Sequence, residues 1–118
     1  MTGARQAHGA FGEAQAARWY ESRGYAVLDR NWRAGRTGEI DLVLGLGGVV
    51  VFCEVKARSS SAFGEPFEAV TGAKQARIRR VAAAWLAAHP PPDRRGRDVR
   101  FDVASVRSGK VEVIESAF

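Results

Sequence analysis

Apolar and charged residues alternate along two short stretches of the chain, Gly38-Glu39-Ile40-Asp41-Leu42-Val43 and Val51-Phe52-Cys53-Glu54-Val55-Lys56, on either side of a glycine-rich segment. β-Branched residues at this density favour extended strands, whose period of two sends successive side chains to opposite faces. Elsewhere the spacing lengthens to that of a helix. Ala10 to Arg23 sets Phe11, Ala14, Ala17 and Tyr20 along one side, and Gly24 follows, the residue type that closes helices in the left-handed conformation. A second helix is predicted from about Gly72 to Ala88, with Ile78, Val81, Ala82, Trp85 and Leu86 on one stripe, stopped by His89-Pro90-Pro91-Pro92. Tyr25-Ala26-Val27-Leu28 reads as a strand continuing toward Asn31-Trp32-Arg33; Val99 to Val106 and Val111 to Ile114, separated by Ser108-Gly109, add two more. Ser59-Ser60-Ser61 and a turn around Gly64-Glu65-Pro66 form a loop, and Asp93-Arg94-Arg95-Gly96-Arg97 is expected as a mobile basic one. The order αβββαββ predicts an α/β fold, a mixed sheet flanked by helices, in a single domain spanning residues 1–118.

The charged positions in the two central strands are costly in a sheet unless they have a task. If Gly45-Leu46-Gly47-Gly48 forms the loop, Leu44 pairs with Val49 and Asp41 lies opposite Phe52. Glu54, Lys56 and Glu39 then share the face of Asp41, with Asp41 and Glu54 on a diagonal of about 7 Å. Asp41 and Glu54 are hard oxygen donors suited to Mg²⁺ or Mn²⁺. Such an ion activates water and offsets charge building on a phosphate, which points to phosphodiester cleavage. Lys56 would orient or deprotonate that water, or stabilise the transition state as a fixed cation. The plainer alternative is a half-buried ion pair in which Lys56 neutralises one carboxylate. An excess of acids argues against it: two carboxylates about 4 Å apart repel by roughly 4 kcal/mol at an effective dielectric near 20.

Charge distribution changes the picture further. Residues 71–110 hold ten Lys/Arg against three Asp, while the rest of the chain holds eight basic and ten acidic residues. An acidic hairpin beside a basic half suits a polyanion, with cations on its backbone and the acidic pocket left for metal. Arg58, two residues past Lys56, stays on the active face. Lys74 sits one turn before Ile78 on the second helix, its stem directed to the sheet edge and within reach of a phosphate, and Gln75 beside it could orient water or a base. Trp19, Trp32 and Trp85 are too scattered for a single-strand stacking platform, and His8, His89 and Cys53 lack zinc spacing. Cys53 reads as a small buried hydrophobe pointing away from the acids. No apolar run approaches the roughly 20 residues of a membrane span and the N-terminus lacks a signal-peptide core, so a cytoplasmic protein without membrane association is expected.

Asp41, twelve intervening residues and Glu54-Val55-Lys56 match the D…ExK signature of restriction-endonuclease-like nucleases. Together with Gly9-Ala10-Phe11-Gly12-Glu13, Asn31-Trp32-Arg33, Phe63-Gly64-Glu65-Pro66, Lys74-Gln75 and Arg100-Phe101-Asp102, the chain resembles the YraN family of small bacterial proteins over nearly its whole length. The resemblance implies a restriction-endonuclease-like αβββαβ core similar to archaeal Holliday junction resolvases. It implies Asp41, Glu54 and Lys56 as catalytic residues, Mg²⁺ or Mn²⁺ on Asp41 and Glu54 with Glu13 as an added ligand, and phosphate contacts from Arg58, Lys74, Gln75 and Arg77. Branched DNA as substrate and a homodimer follow from the resolvase likeness alone. The competing expectation is a non-catalytic nucleic-acid-binding or repair-scaffold protein that keeps the metal pocket.

Overall fold

The computed structural model describes residues 3–58, 70–91 and 96–118. The elements run α1 (Gly3–Glu21), β1 (Ala26–Ala34), β2 (Gly38–Leu46), β3 (Val49–Arg58), α2 (Gly72–Ala88), β4 (Asp98–Arg107) and β5 (Lys110–Ile114), the order the sequence predicts. The strands form one sheet in sequence order. Neighbours are antiparallel except β3 and β4, which run parallel because α2 lies between them in the chain and returns it to the same end.

Each helix covers one face. Beneath α1, Leu42, Leu44, Val51, Cys53, Ala104 and Val106 pack against Ala16, Ala17 and Tyr20. Against α2, Ile40, Val43, Phe52 and Val103 meet Ile78, Val81, Ala82 and Trp85. Cys53 is therefore a buried core thiol, as expected, and burial pushes its pKa up. The helix α2 has its predicted bounds because Thr71 caps it, its hydroxyl oxygen accepting from the Lys74 N–H at 3.2 Å, and proline follows His89.

Two expectations about packing are corrected. The helix α1 begins at Gly3, well before Ala10, and Phe11 is 58% exposed. Small residues seat this helix on the sheet: a Cβ on Gly12 would stand 2.8 Å from that of Ala57, a contact so close that Phe11, one position along, is turned aside. The β2–β3 connection is a two-residue turn, Gly47-Gly48, in place of the four-residue loop. Leu46 pairs with Val49 and Val43 with Phe52, because Gly47 takes a φ of +57° and lets β2 extend two residues further. Asp41 is thus shifted from Phe52 toward Glu54, and the slip by an even number keeps the paired residues Leu42, Val43 and Leu44 on the faces that alternation assigns them.

The Arg100-Phe101-Asp102 string serves the scaffold. Asp102 is fully buried, and its carboxylate accepts from Tyr20 Oη at 2.7 Å, Arg100 Nε at 2.9 Å, an Arg100 terminal nitrogen at 2.8 Å and the Ser116 N–H at 3.1 Å. Four donors replace the lost water and lock α1, β4 and the C-terminal segment together. The Ser59-Ser60-Ser61 loop, the Gly64-Glu65-Pro66 turn and Arg94-Arg95 lie outside the described residues.

Candidate functional site

The β2–β3 ladder makes its last pair at Leu42 and Cys53. One step beyond, Asp41 turns its carboxylate into the ladder and Oδ2 accepts the Val55 N–H at 2.7 Å. A side chain thus replaces a backbone acceptor, and the strands part at Asp41 and Glu54. Strand alternation breaks here too: Ile40 goes to the α2 core and Leu42, two residues on, to the α1 core. In β1 the pairs Arg30–Leu42 and Trp32–Ile40 straddle Asn31, which holds a left-handed φ of +50°. Asparagine tolerates that conformation better than most residues.

Into this gap α1 delivers Glu13 and α2 delivers Lys74. The side chains of Asn31 and Asp41 both lie within hydrogen-bonding influence of Glu13, whose pKa is raised by burial and, to a smaller extent, by the charge of Glu39, with Asn31 opposing. Lys74 Nζ stands 3.2 Å from Glu54 Oε1. Arg33, Gly38, Glu39, Asp41, Glu54 and Arg77 are among the residues that line a cleft of about 390 Å³ on the α2 side. Glu39 shares it as expected, paired with Arg33 at 3.2 Å.

Electrostatics mark the site off from an ordinary ion pair. Burial, then the charge of Glu54, pushes the Asp41 carboxyl up to about 7, against the pull of the Val55 N–H. Burial and the neighbouring Lys74 ammonium hold the Lys56 pKa below the usual lysine value. Lys74 moves the other way: burial would lower it, but contact with Lys56 and the Glu54 carboxylate raise it. Of the two lysines, Lys74 therefore holds its proton more tightly and Lys56 less tightly. Lys74, expected to reach for a phosphate, instead reaches from α2 to bond Glu54 directly and is a second cation beside Lys56. Lys74 also occupies the first turn of its helix, where the macrodipole disfavours a cation, and the helix has no acid there to compensate.

The remaining expected residues divide. Arg77 lines the cleft, its methylenes over Gly38, whose φ of +147° leaves that space free of a Cβ. Gln75 instead braces the entry to α2, its side-chain nitrogen donating to the Val70 carbonyl at 3.2 Å. Arg58 ends β3 beside Arg107, and its side chain lies outside what the structure describes. Asn31, Arg33 and the Lys74–Glu54 bond were not assigned to the site from sequence; the one signal available was an asparagine, a frequent left-handed residue, inside a strand.

As a cation site, the gap offers Asp41 and Glu54 as two carboxylates at one opening. Among the described residues no three Asp, Glu, His or Cys side chains stand close enough together to enclose an ion. Glu13 approaches without completing such a set. Two carboxylates with water and substrate oxygens match the way Mg²⁺ is commonly held, and Asp41 and Glu54 stand close enough for the charge of one to raise the pKa of the other after burial has done so, so these residues fit such an ion. No helix among the described residues is long and apolar enough to cross a membrane.

Comparison with known proteins adds kinship. The chain is 52% identical over 113 residues to a UPF0102 protein of Beutenbergia cavernae, covering 93% of this chain and 92% of that one. It is 50% identical over 120 residues to one of Frankia casuarinae, covering 98% of each, and 44% identical over 124 residues to one of Moorella thermoacetica, spanning both in full. The model of the uncharacterised protein family UPF0102 matches residues 12–106, from the glycine before Glu13 to the end of the α1-side core, and the chain belongs to that family, the YraN family of its sequence resemblance.

Proposed function

We propose that this protein is a metal-dependent nuclease that hydrolyses phosphodiester bonds of DNA, branched DNA being the favoured substrate form. The observation that carries the reading is the opening of the β2–β3 ladder at Asp41 and Glu54, with Lys56 and Lys74 on the same side and the Asp41 carboxyl raised to about 7. A structural ion pair would match charge to charge; here partly desolvated acids outnumber the cations that touch them.

Asp41 and Glu54, with Glu13 adjacent, would hold Mg²⁺ or Mn²⁺, which when bound lowers the pKa of water and offsets charge on the phosphoryl oxygens. Lys56, its pKa lowered by burial and by Lys74, would orient the attacking water as an ammonium donor or, as the neutral amine, take its proton. Lys74 and Arg77 grip the phosphate from the α2 wall of the cleft. The Val55 N–H holds the Asp41 carboxylate in one orientation, and Asn31 does the same for Glu13. A homodimer would supply the two sites that symmetric cutting of a junction needs.

The Lys74–Glu54 bond also favours a second reading, a nucleic-acid-binding protein without turnover, because an ammonium already balances one ligand. Incubation of junction, flap, duplex and single-stranded DNA with the protein and Mg²⁺ or Mn²⁺ separates the two. Cleavage of at least one substrate that requires metal and Asp41 is expected; binding without cleavage of any would favour the second reading.

A further inference from the structure

The face of the sheet that carries Glu54 and Lys56 continues past the cleft. Lys56 is the register partner of Ser105, and Ser105 of Glu112; the next row on β4 and β5 pairs Arg107 with Lys110. Val106, Val111 and Val113 point into the α1 core, so Ser105, Arg107, Lys110 and Glu112 present the opposite face, the one shared with Lys56. Those four side chains line a cavity of about 230 Å³.

Arg107 and Lys110 are like charges directly opposite one another at the end of a hairpin, an arrangement that destabilises a sheet. The turn holds them there: Ser108 and Gly109 take φ values of +51° and +76°, fixing a two-residue connection. Neither side chain makes an ion pair with any described residue. Two rigidly paired cations beside a buried serine make a ready seat for a tetrahedral oxyanion.

We propose that Ser105, Arg107 and Lys110 form a phosphate subsite that holds the nucleic-acid backbone away from the cleavage position, on a track leading from Lys56 across β4 to β5. The proposal rests on the nuclease reading for the identity of the ligand. Two strand spacings and one two-residue step put the Lys110 Cα about 12 Å from that of Lys56, a separation of roughly three to four nucleotides at 3.4 Å rise each. Glu112, opposite Ser105 on the same lining, opposes a second phosphate there.

Anisotropy titration of a labelled 20-base-pair duplex in chelator, over a series of salt concentrations, tests the subsite without turnover. Arg107→Gln/Lys110→Gln is expected to bind about tenfold more weakly at low salt, with a log–log salt slope shallower by about 1 to 2, while Glu112→Gln binds more tightly. Lys110→Gln alone, at a turn flank, serves if the double variant does not fold, with a slope shallower by about 1. Equal slopes for folded variants and wild type, or no salt-dependent binding by wild type, would overturn the subsite. Failure of the nuclease reading is read separately, as absent Mg²⁺-dependent cleavage with the slope difference intact.

Discussion

Lys74 reaches from the first turn of α2 to place its ammonium 3.2 Å from the carboxylate of Glu54, on the middle strand of the sheet, with 27% and 12% of the two side chains exposed. The helix gives up dipole compensation at this position, and the sheet gives up an apolar side chain. Both are recovered only through the partner. Lys74→Ala is expected to destabilise the metal-free protein by about 1–2 kcal/mol, because Glu54 loses its direct ion pair and faces Asp41 with Lys56 as the remaining neighbouring lysine. Glu54→Gln in the same background should restore most of the loss. A double-mutant cycle in urea checks it; additive effects would mean that the two side chains do not interact in solution.

Asp41 gives the protein a pH dependence of defined sign. Its carboxyl has an ordinary value of 3.8 when unfolded and about 7 in the folded protein, so between these values the native state binds more protons than the unfolded chain. Stability in chelator therefore falls as pH rises through that window and levels off above about 7. Glu13, raised in the same direction, adds to the slope. Asp41→Asn should flatten the curve, measured as urea midpoints from pH 4 to 8. Parallel curves for the two proteins would contradict the assignment of the slope to Asp41.

Gly12 sets the height of α1 above the sheet, and so the reach of Glu13. A methyl group there would lie 2.8 Å from the Ala57 Cβ, and Ala57 belongs to the strand that carries Glu54 and Lys56. Gly12→Ala is expected to cost about 1–3 kcal/mol by overpacking. Gly12→Ala/Ala57→Gly should recover part of that loss, since the second change removes the opposing methyl. No recovery in thermal melts would place the strain elsewhere.

The buried carboxylate of Asp102 makes a separate prediction about the scaffold. Asp102→Ala leaves Arg100 and Tyr20 without their shared acceptor and is expected to cost about 3–5 kcal/mol. Tyr20→Phe, which leaves the other three donors on Asp102, should cost about 1 kcal/mol. Similar losses for both, by urea denaturation, would mean that the Tyr20 hydroxyl carries most of the network.

Local chemistry made much of this legible in the sequence. The stripe from Ile78 to Trp85, ended by His89-Pro90, fixed the bounds of α2, and β-branched runs separated by glycines marked the strands. The pairing of Asp41 with Glu54 and Lys56 was visible because a two-residue slip in a hairpin preserves its faces. What periodicity does not carry is the depth at which one element sits on another. Phe11 fits an apolar stripe by spacing yet lies exposed, since Gly12 and not Phe11 meets β3. Lys74 reads as a snorkelling surface lysine until the fold brings Glu54 beneath it. Asn31 has no role in a regular strand; it acquires one where the backbone turns left-handed beside the site.

The most direct measurement of whether Asp41 and Glu54 are built around a divalent cation is a pair of thermal melts, wild type and Asp41→Asn, in chelator and in Mn²⁺. In chelator Asp41→Asn is expected to be the more stable protein, by about 1 kcal/mol, because one of the crowded charges is gone. In Mn²⁺ the order reverses, since a cation that binds only the folded wild type stabilises it by mass action and the variant has lost a ligand. Equal destabilisation of Asp41→Asn in both conditions would contradict the metal centre and make Asp41 a hydrogen-bonding acceptor for Val55 alone.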